Sequence, residues 1–466
     1  MTTQRALLDR RTLLRSGAMG LSAVAFSGLA GRSAGAASPP SRQRGAGDYG
    51  PLVPAVDEAT GLTLLALPEG FTYHSYGWTG QIMGDGQPTP TDHDGMAVVD
   101  KRGTRIALVR NQELSAGVST QAMVPGGMYD LAQYGGTTNL VFDRRRGTFV
   151  DDWASLGGTI RNCAGGATPW GSWISCEETF APWSTAQINH GYIFDVPGFG
   201  TSNGSPIRAA GRFSHEAVAV DRRTGIVYET EDATPSALYA YHNPAGRRAL
   251  ADGGELYAMV VDGTPRFDLS AGFAHGTTFD VSWQLVGDAE AVSGRAFDSA
   301  PDAAIISRGE GAWYEGGIVY FVSTDGGAAG VGQVWALDPV RLSLTLVFES
   351  PSADVLDAPD NIAVNRRGGI VLCEDGGADP QRLIGLTPSG EAFEFAQNLI
   401  ELDPGDIDRI DAVYPGTKAN FWDDPVGSYT DQEWAGATFY EEWLFVNIQT
   451  PGVTLAITGP WRAGSL

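Results

Sequence analysis

The chain has 466 residues, of which 42% are hydrophobic, and it contains 62 glycines and 26 prolines. This composition allows a large core and indicates many tight turns. The formal net charge of −24 argues against a surface that attracts nucleic acid or anionic lipid. Beyond residue 60 no stretch approaches the ~20 apolar residues of a membrane helix, so we expect a mature protein that lies outside the membrane.

The first 36 residues have the layout of a twin-arginine export signal. Arg10 and Arg11 precede two leucines, a Gly/Ala-rich run follows, and residues 34–36 have the small side chains of a cleavage site. A disordered basic tail or a membrane anchor is the alternative interpretation. We expect residues 1–36 to direct export by the twin-arginine machinery to the periplasm or the cell exterior. Residues 37–60 are predicted to form a linker or an arm that lies on the domain.

Strand signals dominate the rest of the chain. β-Branched and aromatic residues alternate with polar ones, and helical periodicity is scarce. Related turns join several strand pairs, each with an Asp or Asn that can bond to its own backbone and a Gly that supplies a positive φ. These turns are residues 100–103, 143–147, 221–225 and 365–369. Because their Asp and Asn have this structural role, we do not count them as metal ligands.

Six short apolar strands each lead directly into a cluster of carboxylate, amide or thiol side chains. The clusters are residues 110–113, 176–178, 229–232, 323–325, 373–375 and 447–449. Repeated strand groups of this kind predict an all-β, six-bladed β-propeller over residues 61–466, with residues 251–310 inserted over one face. Residues 453–457 are expected to pair with residues 71–75 and close the ring, which removes exposed edges. Two stacked sandwiches are the alternative, but they do not explain the repeated polar ends.

The polar ends predict a metal site, because oxygen-rich groups gathered in one place repel one another unless cations lie among them. The densest cluster is Cys176, Glu177 and Glu178. A thiolate beside carboxylates suits iron or zinc better than calcium. The alternative is a buried cysteine next to a solvated acidic turn. Three cysteines are too few for a disulfide scaffold, and the sequence does not decide whether two of them pair.

Other candidates are weaker when each is taken alone. Glu216 follows a histidine at the start of a strand, and in Arg308-Gly-Glu310 the glycine allows close approach while the arginine can clamp an oxyanion. Oxygen donors suited to calcium are Glu231, Asn361 and Glu374. An ion pair, a turn or a solvated loop explains each of them when it is taken alone, but the recurrence of six polar clusters at strand ends favours shared cations.

Several motifs in order resemble the PhoX-type alkaline phosphatases. They are the leader, Asn-Gln-Glu at 111–113, Ser-Cys-Glu-Glu at 175–178, Arg-Phe-Ser-His-Glu at 212–216, Arg-Gly-Glu at 308–310, Pro-Asp-Asn-Ile at 359–362 and the closing stretch 434–461. The resemblance implies a secreted six-bladed propeller that holds ferric iron (Fe3+) and calcium (Ca2+). It further implies that Cys176 is the thiolate ligand of iron and that Arg308 contacts the phosphoryl group. The carboxylate ligands that it implies are Glu113, Glu216 and Glu310.

Two positions depart from the pattern expected for this family. Gln112 stands where a histidine is expected, and residues 229–232 differ from the expected Gly-Asp-Asp type. Both departures concern the calcium positions.

We therefore expect a monomeric, secreted, metal-dependent phosphatase that hydrolyses small phosphomonoesters at one mouth of the propeller channel, with no nucleic-acid partner. One alternative is a calcium-dependent lactonase or a phosphodiesterase on a similar frame, and a lactonase would leave Cys176 without a role. A second alternative is a non-catalytic extracytoplasmic propeller that calcium ions brace.

Overall fold

The computed structural model describes residues 48–115, 121–180, 185–246, 250–421 and 424–466. The predicted leader lies outside the described residues. Within these ranges the protein is all-β, with only two short α-helices. Neither helix has the length and apolar character that crossing a membrane requires.

The chain begins with three strands that join sheets formed later. These are β1 (Leu52–Val56), β2 (Thr63–Pro68) and β3 (Thr72–Tyr76). A four-stranded antiparallel sheet follows, made of β4 (His93–Arg102), β5 (Arg105–Gln112), β6 (Gly135–Asp143) and β7 (Thr148–Thr159). The next sheet has three strands, β8 (Asn162–Ala167), β9 (Ser172–Glu177) and β10 (Ile193–Pro197).

A nine-stranded sheet occupies the middle of the chain. Its first part is β11 (His215–Val220), β12 (Val227–Glu231), β13 (Tyr239–His242), β14 (Glu255–Val261) and β15 (Thr278–Leu285). Its second part is β16 (Gly309–Glu315), β17 (Ile318–Ser323), β18 (Gln333–Asp338) and β19 (Ser343–Glu349). The prediction that residues 251–310 are an insertion over one face is wrong for β14 and β15. β14 completes the first part, and β15 pairs with β19 and links the two parts edge to edge.

The last third of the chain supplies two further sheets. β20 (Pro359–Val364), β21 (Ile370–Glu374), β22 (Arg382–Leu386) and β23 (Ala392–Asn398) form one sheet, which β2 and β1 extend. A small excursion follows, with β24 (Glu401–Leu402), α1 (Pro404–Val413), α2 (Thr417–Asn420) and β25 (Gly427–Ser428). The final strands are β26 (Trp434–Tyr440), β27 (Trp443–Ile448) and β28 (Val453–Thr458).

The C-terminal sheet is completed by an N-terminal strand, as predicted. β28 pairs antiparallel with β3, and Leu455 lies opposite Ser75. This pairing joins the two ends of the fold and removes an exposed edge. The arm before β2 also contacts the domain, because the Tyr49 hydroxyl donates to the Leu466 carbonyl at 2.8 Å and its ring packs against Phe71.

The first strands of the six strand groups lie side by side in a closed cycle. In order around the cycle these ring strands are β4, β8, β11, β16, β20 and β26, and β26 contacts β4 again. Such a cycle does not fit two stacked sandwiches. Residues at the starts of the ring strands come together at one end of the ring, the strand-start mouth of the central channel. Residues near the ends of the ring strands come together at the other end, the strand-end mouth.

Burial follows the distance from the channel. The second strand β17 is apolar and almost wholly buried, because sheets pack against both of its faces. The outer strand β19 alternates buried and half-buried residues, as expected for a strand with one solvated face. The predicted turns are also confirmed where their contacts are resolved. The Asn365 side chain accepts from the Arg367 N–H at 2.7 Å, and Gly368 has a φ of 86°.

Candidate metal centre at the strand-start mouth

A backbone irregularity recurs where the ring strands begin. In β4, His93 pairs with Gln112, and pairing resumes only at Met96 with Arg110, so Asp94 and Gly95 bulge out of the ladder. The same break occurs in β8, β11, β16 and β20, and one residue later in β26. A β-bulge turns side chains away from the regular ladder and is common beside functional sites.

The residue after the first position of each ring strand forms one layer of side chains. Around the ring these residues are Asp94, Cys163, Glu216, Glu310, Asp360 and Ala435. Ligand atoms of Glu216, Glu310 and Asp360 lie within 4.8 Å of one another. The layer therefore brings together residues from distant parts of the chain.

A second layer comes from the residues that follow the second strand of each group. These are Glu113, Glu178, Asp232, Thr324, Asp375 and Gln449. The backbone N–H of each donates to the carbonyl of the residue just before the neighbouring ring strand, at 2.9 to 3.2 Å. The two layers meet where ligand atoms of Cys163, Glu178 and Glu216 lie within 4.8 Å of one another.

Two arginines occupy equivalent positions of the repeat, just before a ring strand. Arg161 and Arg308 have φ values of 49° and 45°, a backbone region that non-glycine residues seldom adopt. Arg161 contacts Glu178 and donates from Nε to Glu113 at 2.9 Å. Arg161 thus joins carboxylates from two adjacent strand groups.

Arg308 is held by two carboxylates but stays accessible. Its Nε and Nη2 donate to Asp232 at 2.8 and 3.1 Å, and Nη2 also donates to Glu310 at 2.8 Å. The side chain remains 41% exposed, and its Nη1 has no hydrogen-bond partner among the described residues. The strand-start mouth therefore presents a fixed, partly free guanidinium.

The carboxyls of this mouth resist ionisation. Burial, reinforced by neighbouring carboxylates, raises the pKa of Asp94, Glu216 and Glu310 well above the ordinary range. The same causes raise the pKa of Glu178 to about 9 and that of Asp360 to about 7. Burial also raises the pKa of the Cys163 thiol. A cation placed among these groups would stabilise their ionised forms.

The donor set fits the metals that the sequence predicts. Carboxylate oxygens from several strands suit calcium, and a thiol among carboxylates suits iron. The thiol, however, is Cys163 and not Cys176. Among the described residues, the groups of potential ligand atoms within 4.8 Å of one another include Cys163 and do not include Cys176.

The repeat explains why the predicted cysteine is displaced from the site. Cys176 precedes the last residue of β9, as Asn111 precedes the last residue of β5. The Asn111 side chain reaches the neighbouring sheet, where its amide donates to the Cys163 and Ala164 carbonyls at 2.9 and 2.6 Å. Cys176 likewise packs in the core between sheets, with Ile174 and Ile193.

Glu177 contacts backbone N–H groups and His190 rather than the ligand cluster. Its carboxylate accepts from the Ile160 and Gly191 N–H groups at 3.0 and 2.8 Å, and it lies 2.6 Å from His190 Nδ1. Alternation along β9 predicts that Glu177 and Glu178 point in opposite directions, and only Glu178 reaches the cluster.

The calcium candidates chosen from the sequence also have protein partners. Glu231 accepts from Tyr239 at 2.7 Å and from Arg295 at 2.8 Å. Glu374 is paired with Arg382 at 2.6 Å. The residue that follows each of them, Asp232 or Asp375, belongs to the second layer instead.

Asn361 lies next to the cluster, because its amide donates to Asp360 at 2.9 Å. His215 is a core residue. Its Nε2 lies 3.0 Å from Glu229, burial lowers its pKa to about 3, and burial raises the pKa of Glu229. Burial therefore disfavours the charged form of both groups.

Sequence reasoning missed four residues of this mouth, namely Asp94, Arg161, Cys163 and Glu433. Asp232, Asp360 and Asp375 lie in motifs that the sequence singled out, although Glu231, Asn361 and Glu374 were chosen there as the ligands. A usable signal was present, since Arg161-Asn-Cys163 repeats the spacing of Arg308-Gly-Glu310. Aligning the repeats on the starts of the ring strands, rather than on the ends of the second strands, would have revealed this shared spacing.

Comparison with known proteins supports a family assignment. The family model described as alkaline phosphatase PhoX matches residues 47–152 and 148–452. No curated protein matches the chain. A solved structure of an inactive virginiamycin B lyase from Staphylococcus aureus with quinupristin is similar, at 10% identity and a TM-score of 0.38, with 83% of this chain and 99% of that one covered.

A second similar structure is that of a protein assigned to the gluconolactonases. It is 12% identical, with a TM-score of 0.36, and the match covers 88% of this chain and 97% of that one. At such scores neither structure bears on the activity. The family match spans most of the sequence, and the chain therefore belongs to the PhoX alkaline phosphatase family.

Proposed function

We propose that this protein is a metal-dependent phosphatase that hydrolyses phosphomonoesters at the strand-start mouth. One observation carries the proposal: in a member of the PhoX family, a sixfold backbone repeat gathers carboxylates, the Cys163 thiol and Arg308 in one place. We interpret the ring of six first strands as a six-bladed propeller, whose closure gives these residues a common mouth.

Two adjoining groups would hold the cations. Cys163, Glu178 and Glu216 combine a thiol with carboxylates, which suits Fe3+. Glu216, Glu310 and Asp360 offer oxygen alone, which suits Ca2+. Glu216 belongs to both groups and would link them.

The bound cations would supply positive charge for the phosphoryl oxygens and lower the pKa of a water. Arg308 would bind and orient the substrate. Asp232 and Glu310 fix its guanidinium while Nη1 remains free, so it offers a preorganised donor to a phosphoryl oxygen. Arg161 would keep Glu113 and Glu178 in position.

A matched pair of cysteine variants tests this assignment. Both Cys163 and Cys176 are buried, so replacing either with Ala makes a similar small cavity in the core. We expect Cys163→Ala to lose iron and to lower p-nitrophenyl phosphate turnover by about 100-fold or more, while Cys176→Ala retains both. The opposite result would restore the assignment to Cys176, and full activity in both variants would refute a thiolate site.

Elemental analysis separates the enzyme classes. Iron together with calcium, and phosphatase activity that disappears on chelation and returns on adding the metals back, are expected. Calcium without iron, accompanied by lactone hydrolysis, would favour the lactonase alternative. Calcium-dependent melting without turnover of any ester would indicate a braced, non-catalytic protein.

We also propose export through the twin-arginine pathway, which delivers folded proteins and so allows metal loading before secretion. The proposal is supported by Arg10 and Arg11 and the run that follows them. Replacing both arginines with lysine is expected to retain the protein in the cytoplasm, and unchanged export would refute the pathway.

A further inference from the structure

The opposite mouth of the channel contains a cavity of about 690 Å³. Five ring strands reach it near their ends, and β11 reaches it through the turn that follows. The lining residues that show this are Val98, Ala167, Arg222, Trp313, Val364 and Thr438. The cavity therefore lies on the channel axis, at the strand-end mouth.

The strand-end mouth is rich in arginine. Arg222, Arg366 and Arg462 line the cavity, are exposed, and have no ion-pair partner among the described residues. Arg367 also lines it and donates to the Trp461 carbonyl at 2.6 Å. Positive charge is concentrated here although the whole chain carries −24.

Carboxylates offset only part of this charge. Glu315, Glu441 and Glu442 line the same cavity, but Glu441 is already paired with Arg144 at 2.6 Å. Four guanidiniums thus face two glutamate carboxylates that have no ion-pair partner in the described ranges, and the α-carboxylate of Leu466 adds one more negative charge. A concave surface with this excess concentrates field lines and attracts anions.

The wall between the arginines is aromatic. Trp313 and Phe439 are half-buried lining residues. Trp461 also lines the cavity and packs against Phe439, with ring centroids 5.6 Å apart. The Trp313 Nε1 atom is buried and has no hydrogen-bond partner. A buried indole N–H usually has an acceptor, so the Trp313 side chain leaves an unsatisfied donor within the wall of the cavity.

We propose that the strand-end mouth binds a small aromatic anion that carries more than one acidic group, phosphate, carboxylate or sulfonate. Its charges would pair with Arg222, Arg366 and Arg462, and its ring would lie against Trp313 and Phe439. The volume falls within the roughly 300–1,000 Å³ of small-molecule pockets. A metal ion is disfavoured by the arginines, and the strand-start mouth repels such an anion in the absence of cations.

Titration with pyrene tetrasulfonate, followed by fluorescence anisotropy at low ionic strength, tests the site. The probe is aromatic and multiply charged, and it is not a phosphate ester. The double variant Arg222→Gln with Arg366→Gln is expected to weaken binding about tenfold or more. Arg409→Gln on α1 is the matched control, because it removes an exposed arginine that does not line the cavity. No saturable binding, or an equal loss in the control, would overturn the proposal.

Two further variants test the location. Trp313→Leu keeps an apolar side chain but removes the aromatic ring, and it should weaken binding by about three- to tenfold. Arg308→Gln alters the strand-start mouth and should leave probe affinity unchanged. A loss of probe affinity in this variant would mean that the probe binds at the strand-start mouth, which would contradict the proposal. Competition by a non-hydrolysable nucleoside triphosphate or by benzene hexacarboxylate shows whether phosphate or carboxylate is preferred, and failure of both refutes the site.

Discussion

The two mouths of the channel are built from the same six strands but have opposite charge. At the strand-start mouth, Asp94, Glu216 and Glu310 occupy one layer, and burial raises the pKa of each. At the strand-end mouth, Arg222, Arg366 and Arg462 line a cavity. The repeat therefore fixes where side chains point, while the residue at each position decides the chemistry.

The mouths also differ in their backbone. The acidic side chains stand at bulges where pairing is interrupted. Arg222 and Arg366, by contrast, belong to ordinary tight turns, whose Asp221 and Asn365 bond to the local backbone. A turn that serves only to reverse the chain can thus contribute charge to a site on the channel axis.

The largest effect is expected when the residue shared by both ligand groups is changed. Glu216→Gln keeps the shape but removes the negative charge, so turnover should fall by about 1000-fold and bound metal should be lost. Glu231→Gln is the control, because Glu231 pairs with Arg295 outside the cluster. Phosphatase assays with elemental analysis measure both. Equal metal loss in the two variants would contradict the layer assignment.

Metal removal is expected to have the second-largest effect. Carboxylates whose ligand atoms lie within 4.8 Å of one another repel when ionised, and an ion present at a thousandfold its Kd adds about 4 kcal/mol to stability. Chelation at neutral pH should therefore lower the free energy of unfolding by about that amount per ion. Urea titration before and after chelation measures the loss. Unchanged stability would mean that the acidic mouth holds no structural cation.

A buried carboxyl outside both mouths provides a pH reference. Burial raises the pKa of Asp152 from 3.8 to about 6, so its contribution to stability is full below pH 4 and is lost as pH rises toward 6. This loss amounts to about 3 kcal/mol. Asp152→Asn should remove that part of the slope, as urea unfolding between pH 4 and 7 would show. An unchanged slope would contradict the raised pKa.

The smallest effect is expected when an arginine side chain is replaced by lysine. Arg308→Lys keeps the charge but cannot contact Asp232 and Glu310 as a planar fork, so kcat/KM should fall about tenfold with metal content unchanged. Arg366→Lys at the opposite mouth should leave turnover as it is. A larger effect of the second variant would mean that the two mouths are not separate.

Much of the fold followed from the sequence. Strand periodicity predicted an all-β chain, and the pairing of β28 with β3 was correct because the two segments lie at opposite ends of the repeat, where their pairing removes exposed edges. Polar clusters at strand ends predicted an acidic mouth with Glu113 and Glu178 near it, and the resemblance to the family added Glu216 and Glu310. β15 was missed, since its pairing with β19 depends on a contact between neighbouring strand groups.

The choice of thiol shows where sequence reasoning stops. Cys176 and Cys163 both lie among strand residues, and a dense acidic neighbourhood favoured the first. Only the bulge at the start of β8 brings Cys163 within 4.8 Å of Glu178 and Glu216. A one-residue shift in a strand moves a side chain to its other face, and pattern alone does not locate such a bulge.

By itself the sequence determined the strand-rich character, the acidic balance, the turn chemistry and the family motifs, because these depend on residue type and short spacing. The closed ring decided which residues face the channel and at which mouth, since that depends on register and on contacts between segments more than 100 residues apart, such as Thr454 with Arg110. Charges that look scattered along the chain become two opposed sites only when the ring closes.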